Sequence, residues 1–144
     1  MNAVSITTNP SDLDVECIHR FLSEESAWAR GIPLDLVRLS IANSLNFGLF
    51  VGSSQVGYAR LVTDHATFAY LMDVFVLPAY RGRGLSRQLL ETVMAHPTAR
   101  KVRRFVLVSS TARGLYEKFG FSAPAKPETF MEINTSNAYA RSEA

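Results

Sequence analysis

Leu71-Met72-Asp73-Val74-Phe75-Val76-Leu77-Pro78-Ala79-Tyr80-Arg81-Gly82-Arg83-Gly84-Leu85-Ser86-Arg87-Gln88-Leu89-Leu90 is the stretch on which the reading of this chain turns. It runs from an apolar strand through a Pro-marked bend and an Arg/Gly loop into an amphipathic helix. The first N–H groups of a helix have no intrahelical acceptor, and the helix dipole favours negative charge beside them. Gly82 and Gly84 are free to take positive φ and let an anion approach the backbone, which a Cβ would obstruct. Arg81, Arg83 and Arg87 add fixed positive charge around the same point. These properties describe a phosphate- or pyrophosphate-binding loop at the carboxyl end of a strand. A plain solvated strand-to-helix turn is the competing reading.

Two other phosphate loops do not fit. No Gly-Lys-Ser/Thr follows, so the loop is not a nucleotide P-loop. Gly-x-Gly-x-x-Gly fails as well, because its third glycine position falls on Arg87. An RNA-binding Arg/Gly tract is disfavoured, since the element occurs once and sits between apolar periodic segments.

A second motif lies downstream, Ala112-Arg113-Gly114-Leu115-Tyr116-Glu117-Lys118-Phe119-Gly120-Phe121. With Arg81-Gly82-Arg83-Gly84-Leu85-Ser86 before it, the chain resembles the GNAT superfamily of acyl-CoA-dependent N-acyltransferases. The family pattern is Gln/Arg-x-x-Gly-x-Gly/Ala in the loop and Leu-Tyr-x-Lys-x-Gly-Phe in the helix, in this order. Ser86 replaces the usual Gly/Ala but is small. Ser109 stands where many relatives carry a cofactor-contacting Asn, and Arg104 stands where some carry a Glu base. The resemblance implies an α/β (α+β) fold with a mixed, mostly antiparallel central sheet of six to seven strands, flanked by about four helices. It also implies that the sheet splays between the strands matching 67–77 and 104–109.

The remaining pattern is compatible with that fold. Residues 3–8 read as a short β-branched strand, and Asn9-Pro10-Ser11 breaks it. Ser11 and Asp14 suggest a helix start, and Leu13, Cys17, Ile18, Phe21 and Leu22 recur at helical spacing over 12–23. Pro33 opens a second helix carrying Leu34, Val37, Ile41 and Leu45 on one stripe. Phe47–Val51 and Gln55–Thr63 flank a Gly52-Ser53-Ser54 turn as a hairpin, followed by the strand 67–77. Leu85, Leu89, Leu90, Val93 and Met94 give the next helix its buried stripe, and it stops before Pro97. Arg104–Ser109 reads as a strand, 111–119 as a helix closed by a left-handed Gly120, and Thr129–Asn134 as a last strand. Residues 1–134 make one domain, and the polar tail 135–144 carries no pattern for an ordered element.

At 144 residues, with 47% hydrophobic and 19% charged residues, the chain suits one soluble globular domain. A net charge of +2 gives no basis for nucleic acid or an anionic membrane as partner. The lone Cys17 excludes an internal disulfide, and its helical position reads as a small buried thiol. No apolar run reaches the ~18 residues of a membrane span, and the N-terminus has no signal-peptide pattern, so the expected location is cytoplasmic. An exposed edge strand at 129–134 would permit a homodimer without demanding one.

Transfer of an acyl group from a thioester to an amine needs a bound donor, a neutral amine, a stabilised oxyanion and a protonated leaving sulfur. The resemblance implies acetyl-CoA as co-substrate without a metal, its pyrophosphate on Arg81, Gly82, Arg83, Gly84, Leu85, Ser86 and Arg87. The pantetheine arm would pair with the backbone of Val74, Phe75 and Val76 like an added strand. Tyr116 is the implied general acid: a phenol near pKa ~10 is protonated at neutral pH and can serve a thiolate whose conjugate acid lies near ~8.5. It can equally pack through its ring. Asp73 is the first candidate for base, with Tyr70 through water or Glu24 and Glu25 as alternatives. Alternation puts Asp73 on the face opposite Val74, where it can instead satisfy a backbone group or an Arg. Trp28 is either an aromatic wall for the acceptor or a core anchor between helices, and with Tyr70 it marks the acceptor side. His19 and His65 read as solvated. The acceptor is expected to be a primary amine on a small molecule; a non-catalytic acyl-CoA-binding module of the same fold is the alternative.

Overall fold

The computed structural model describes residues 2–139 and divides into two compact units, Met1–Val108 and Ser109–Ala144. The first unit holds a five-stranded sheet in the order β1 (Val4–Thr7), β2 (Leu45–Val51), β3 (Ser54–Thr63), β4 (Phe68–Val76) and β5 (Arg104–Val106). The first four strands are antiparallel and β5 joins β4 in parallel. The sheet is therefore mixed and mostly antiparallel as expected, but it has five strands where six to seven were expected.

Among the described residues the helices are five: α1 (Val15–Arg20), α2 (Leu34–Ala42), α3 (Leu85–Ala95), α4 (Pro97–Lys101) and, in the second unit, α5 (Arg113–Glu117). About four were expected, and α4 is the addition. Pro97 does end α3, but it also occupies the first turn of a new helix, where a missing N–H is harmless. The His96 ring caps that helix by accepting from Thr98 N–H at 3.1 Å.

The first helix begins later than expected. Asn9 caps a 3-10 turn at Pro10–Asp12, and Asp14, not Ser11, caps α1 by accepting from Cys17 N–H at 3.1 Å. The helix then widens into a π turn at Phe21–Glu25. Cys17 is buried with its Sγ 3.5 Å from Gln55 O, and burial pushes the thiol pKa up, as suits a packing thiol.

Period-two alternation gives the sheet two buried faces. Phe47, Leu49, Ala59, Leu61, Ala69 and Leu71 lie on the face covered by α3 and the turn after it, where Phe47 meets His96 edge-to-face. From α3, Leu85, Leu89, Leu90 and Val93 are buried, each stabilising by roughly 1.5–3 kcal/mol. The opposite face meets α1, the π turn and α2. Phe75 stacks on Phe21 at 4.0 Å between ring centroids, and Asn46 Nδ2 donates to Ile41 O at 2.9 Å. Gly48 and Gly57 let these layers close. A Cβ at Gly57 would stand 2.9 Å from the backbone oxygen of Phe75, and one at Gly48 would stand 2.6 Å from Leu13 Cδ2.

Strands β3 and β4 are out of step at one point. Arg60 faces Met72 and Tyr58 faces Phe75, so β4 advances three residues while β3 advances two. The extra residue makes a β-bulge, and within it Asp73 takes φ +55.

The second unit contains α5, a 3-10 turn at Pro127–Thr129 and a turn over residues 136–139. Gly120 takes φ +96 just past α5, the left-handed position expected of it. Thr129–Asn134 is not a strand. Phe130, Met131 and Ile133 are 45%, 94% and 100% exposed, and the segment carries no strand assignment. Of the tail read as lacking order, residues 140–144 lie outside the described residues.

Candidate active site

The loop after β4 is built as its glycines require. Gly82 and Gly84 take φ +78 and +75, and a Cβ at either would point into open space. Gly84 is also the N-cap of α3, without a side-chain cap. Arg81 N–H bonds Pro78 O at 3.3 Å, and Gln88 N–H bonds Gly84 O at 3.2 Å. Between them, the N–H groups of Gly82, Arg83, Gly84, Leu85, Ser86 and Arg87 donate to no protein acceptor among the described residues. Six consecutive free amides at a positive helix end are a fit for a diphosphate.

The three arginines differ. Arg81 turns back and donates Nε–H to Val76 O at 2.9 Å. Arg83 donates to Ala79 O at 3.3 Å and lies over the Tyr80 ring, 5.1 Å from its centroid. Arg87 is exposed and 3.5 Å from Glu91 one turn on, a weak surface pair.

Strand β4 offers a second half of the site. It pairs with β5 only at Phe68–Tyr70, so beyond Tyr70 that side of β4 has no ladder partner among the described residues. This is the expected splay. Leu77 N–H donates to Val56 O at 2.8 Å, which makes Val56/Leu77 a hydrogen-bonded pair. Antiparallel pairs alternate, so at the next pair, Gly57/Val76, the backbone groups turn away from β3. The N–H and C=O of Val76 therefore turn to the side without a ladder partner, where the oxygen accepts from Arg81, while the Phe75 backbone faces β3. Val74 is half-buried, and Phe75 and Val76 are buried.

Asp73 and Trp28, forty-five positions apart, meet. Trp28 Nε1–H donates to Asp73 Oδ1 at 2.8 Å, and Arg60 Nε–H donates to Asp73 Oδ2 at 2.8 Å. The Asp73 and Arg60 side chains are only 7% and 13% exposed. Arg60 also donates to Ser44 Oγ at 3.1 Å and reaches Met72 Sδ at 3.7 Å. Trp28 is 55% exposed, so the core-anchor reading of it fails. Its ring leans on Phe21 at 6.4 Å, tilted by 49°. Tyr70 is half-buried and shares the strand face of Met72, two residues on.

Arg60 was missed in the sequence. Its strand neighbours Ala59 and Leu61 point to the other face of the sheet, so the local pattern does not show that Arg60 is held against Asp73. The two histidines read as solvated are bonded, His19 Nε2 to Ile32 O at 2.9 Å and His65 Nδ1 to Thr98 Oγ1 at 3.1 Å.

In the second unit, Tyr116 sits in α5, half-buried, with its ring edge-on to Phe121 at 6.1 Å. Burial pushes its phenol pKa above the ordinary value. Ser109 Oγ accepts from Ala112 N–H at 3.0 Å and so steadies the turn into α5; its hydroxyl proton stays available for a further acceptor.

Comparison with known proteins places this arrangement in a family. Residues 46–123 match the model of the acetyltransferase (GNAT) domain. A Gibberella zeae protein named as a candidate acetyltransferase is 32% identical over 136 residues, covering 78% of this chain and 75% of its own. The crystal structure of a Xanthomonas campestris pv. campestris protein, described as a candidate GNAT-family acetyltransferase, superposes with a TM-score of 0.93. Its identity is 49%, with 97% of this chain and 99% of that one covered. A Clostridium acetobutylicum predicted acetyltransferase solved with acetyl-CoA shares the fold at TM-score 0.66 and 18% identity, covering 93% and 96% of the two chains. The chain belongs to the GNAT acetyltransferase family and is an acyltransferase. No helix among the described residues is long and apolar enough to cross a membrane, and no group of potential metal ligands is found there.

Proposed function

We propose that the protein is an N-acetyltransferase that moves an acetyl group from acetyl-CoA directly to a primary amine on a small cytoplasmic molecule. The observation that carries this is the run of six free amides from Gly82 to Arg87, next to a strand whose Val76 N–H faces a side without a ladder partner, the Val76 oxygen there being held by Arg81. The loop matches a diphosphate in charge and donor count, and the strand side matches an extended pantetheine arm. Bound there, acetyl-CoA supplies a thioester activated toward amines.

The chain's own groups supply the rest. Arg81, Gly82, Arg83, Gly84, Leu85, Ser86 and Arg87 hold the donor, and backbone N–H groups near Val74 and Val76 hold the carbonyl in place. Tyr116 is the proposed proton donor to the leaving sulfur, supported by the family motif around it and by burial that keeps its phenol neutral. Ser109 is proposed to contact the donor, and Trp28 and Tyr70 to line the acceptor side.

Thermal stabilisation tests the donor half. A ligand binding only the folded state raises apparent stability with concentration. Acetyl-CoA and CoA should stabilise strongly, ADP weakly, and heparin not at all. Thiol release on an amine panel then tests transfer. Equal stabilisation by heparin and acetyl-CoA would refute the assignment.

A further inference from the structure

We infer that Arg60, Asp73 and Trp28 form one positioning device, which fixes an aromatic wall for the acceptor beside the acyl-donor strand, with Asp73 as its anchor and not the base. The inference rests on the acetyl-transfer reading above and names the acceptor class: an amine with an aromatic or otherwise flat apolar body.

The bulge is where the device begins. Asp73 holds φ +55, a conformation that costs a non-glycine residue about 1 kcal/mol or more and persists only where its surroundings enforce it. Arg60 and Trp28 enforce it by engaging both carboxylate oxygens at 2.8 Å. Both oxygens of this carboxylate are engaged, one by the Trp28 indole and one by a nearly buried guanidinium. The carboxylate is well placed to hold an indole.

Trp28 completes the device. An exposed tryptophan ordinarily keeps its side-chain freedom, but here the N–H is tied to Asp73 and the ring rests on Phe21. Phe21 is in turn stacked on Phe75. The ring is thereby pre-oriented while more than half of Trp28 stays open to a ligand. Its anchor is the residue before Val74, on the strand proposed to carry the thioester arm. An indole face attracts an alkylammonium through its quadrupole and stacks on a flat carbon body.

Kinetics on the full chain, with phenethylamine and putrescine as acceptors, test this. Trp28→Phe should raise the phenethylamine KM roughly tenfold, the size of one such contact, with kcat lowered by no more than about threefold. Asp73→Ala should give a similar KM rise. Asp73→Asn, whose amide oxygen still accepts from the indole, should recover most of it and keep the acidic limb of the pH–rate profile. Loss of that limb in Asp73→Asn, with kcat down roughly 10²–10⁴-fold, would make Asp73 the base and overturn the inference. An unchanged phenethylamine KM in Trp28→Phe would overturn it too. Trp28 is the sole tryptophan, so its fluorescence gives a readout independent of activity. Emission should shift to the red and anisotropy fall in Asp73→Ala but not in Asp73→Asn, and no change in Asp73→Ala overturns the positioning role. Should Asp73→Ala fail to fold, the Trp28→Phe and Asp73→Asn variants decide the matter. Absence of acetyl-CoA binding would defeat the transfer reading itself while leaving the fluorescence test intact.

Discussion

Arg81 Nε–H donates to the backbone oxygen of Val76 at 2.9 Å, tying the anion loop to the end of the strand that precedes it. Sequence reasoning had given Arg81 the task of attracting phosphate. The bond adds another: it fixes the distance between the loop amides and the open side of β4. Arg81→Ala should therefore weaken acetyl-CoA binding by about tenfold or more, a loss of one charge-assisted bond. Arg87→Ala, which removes an exposed charge already near Glu91, should weaken it by roughly twofold to threefold. Titration calorimetry compares the two.

Gly84→Ala separates binding from stability. At φ +75 a Cβ introduces strain of about 1–2 kcal/mol but meets no protein atom. The methyl projects into open space at the helix start, where a bound diphosphate would lie. Donor affinity is expected to fall more than urea-denaturation stability does, and equal losses would remove Gly84 from the donor site.

Tyr116→Phe should lower kcat by roughly 10²–10⁴ while changing acetyl-CoA affinity little. Because burial raises the phenol pKa, Tyr116 keeps its proton through neutral and mildly alkaline pH. An alkaline limb of kcat due to this group should accordingly lie above pH ~10 and vanish in the Phe variant. Stopped-flow measurement of thiol release across pH checks both.

Tyr58 gives a stability prediction with a definite sign. It is fully buried, its hydroxyl donates to Asn46 Oδ1, and burial pushes its pKa far above the ordinary phenol value. The raised folded-state pKa means its contribution is fully present below the unfolded value of ~10 and is lost as pH rises toward the folded one. Unfolding free energy should be flat near neutrality and fall above pH ~10 by up to about 1.4 kcal/mol per unit. Tyr58→Phe should flatten that fall and cost about 1–3 kcal/mol at pH 7, since Asn46 loses a buried donor.

Much of this is legible in the sequence. Gly82, Gly84 and Gly120 were assigned positive φ because only glycine takes it cheaply, and all three have it. Strand β4 and helices α2 and α3 followed from periodicity, which reports local burial. What failed depends on partners that the local pattern does not contain. Residues 129–134 have strand-like composition, yet a strand needs a neighbour and a covered face. The β4 bulge is one extra residue whose only trace is a pairing register. Arg60 went unremarked because its meaning lies in Asp73, thirteen positions away and one strand over. Trp28 stood undecided between two readings, and only its exposure separated them.

The unpaired flank of β4 carries a liability as well as an opportunity. A strand side without a ladder partner can pair with any extended polypeptide, whether a sister molecule or a nascent chain, and the Arg81 side chain on the Val76 oxygen covers one end of it. A thioester arm bound along this flank would compete with such a strand for the same backbone groups. Supply of the acyl donor would then govern colloidal behaviour along with turnover, and protein stripped of it should cloud on concentration and clear when it is restored.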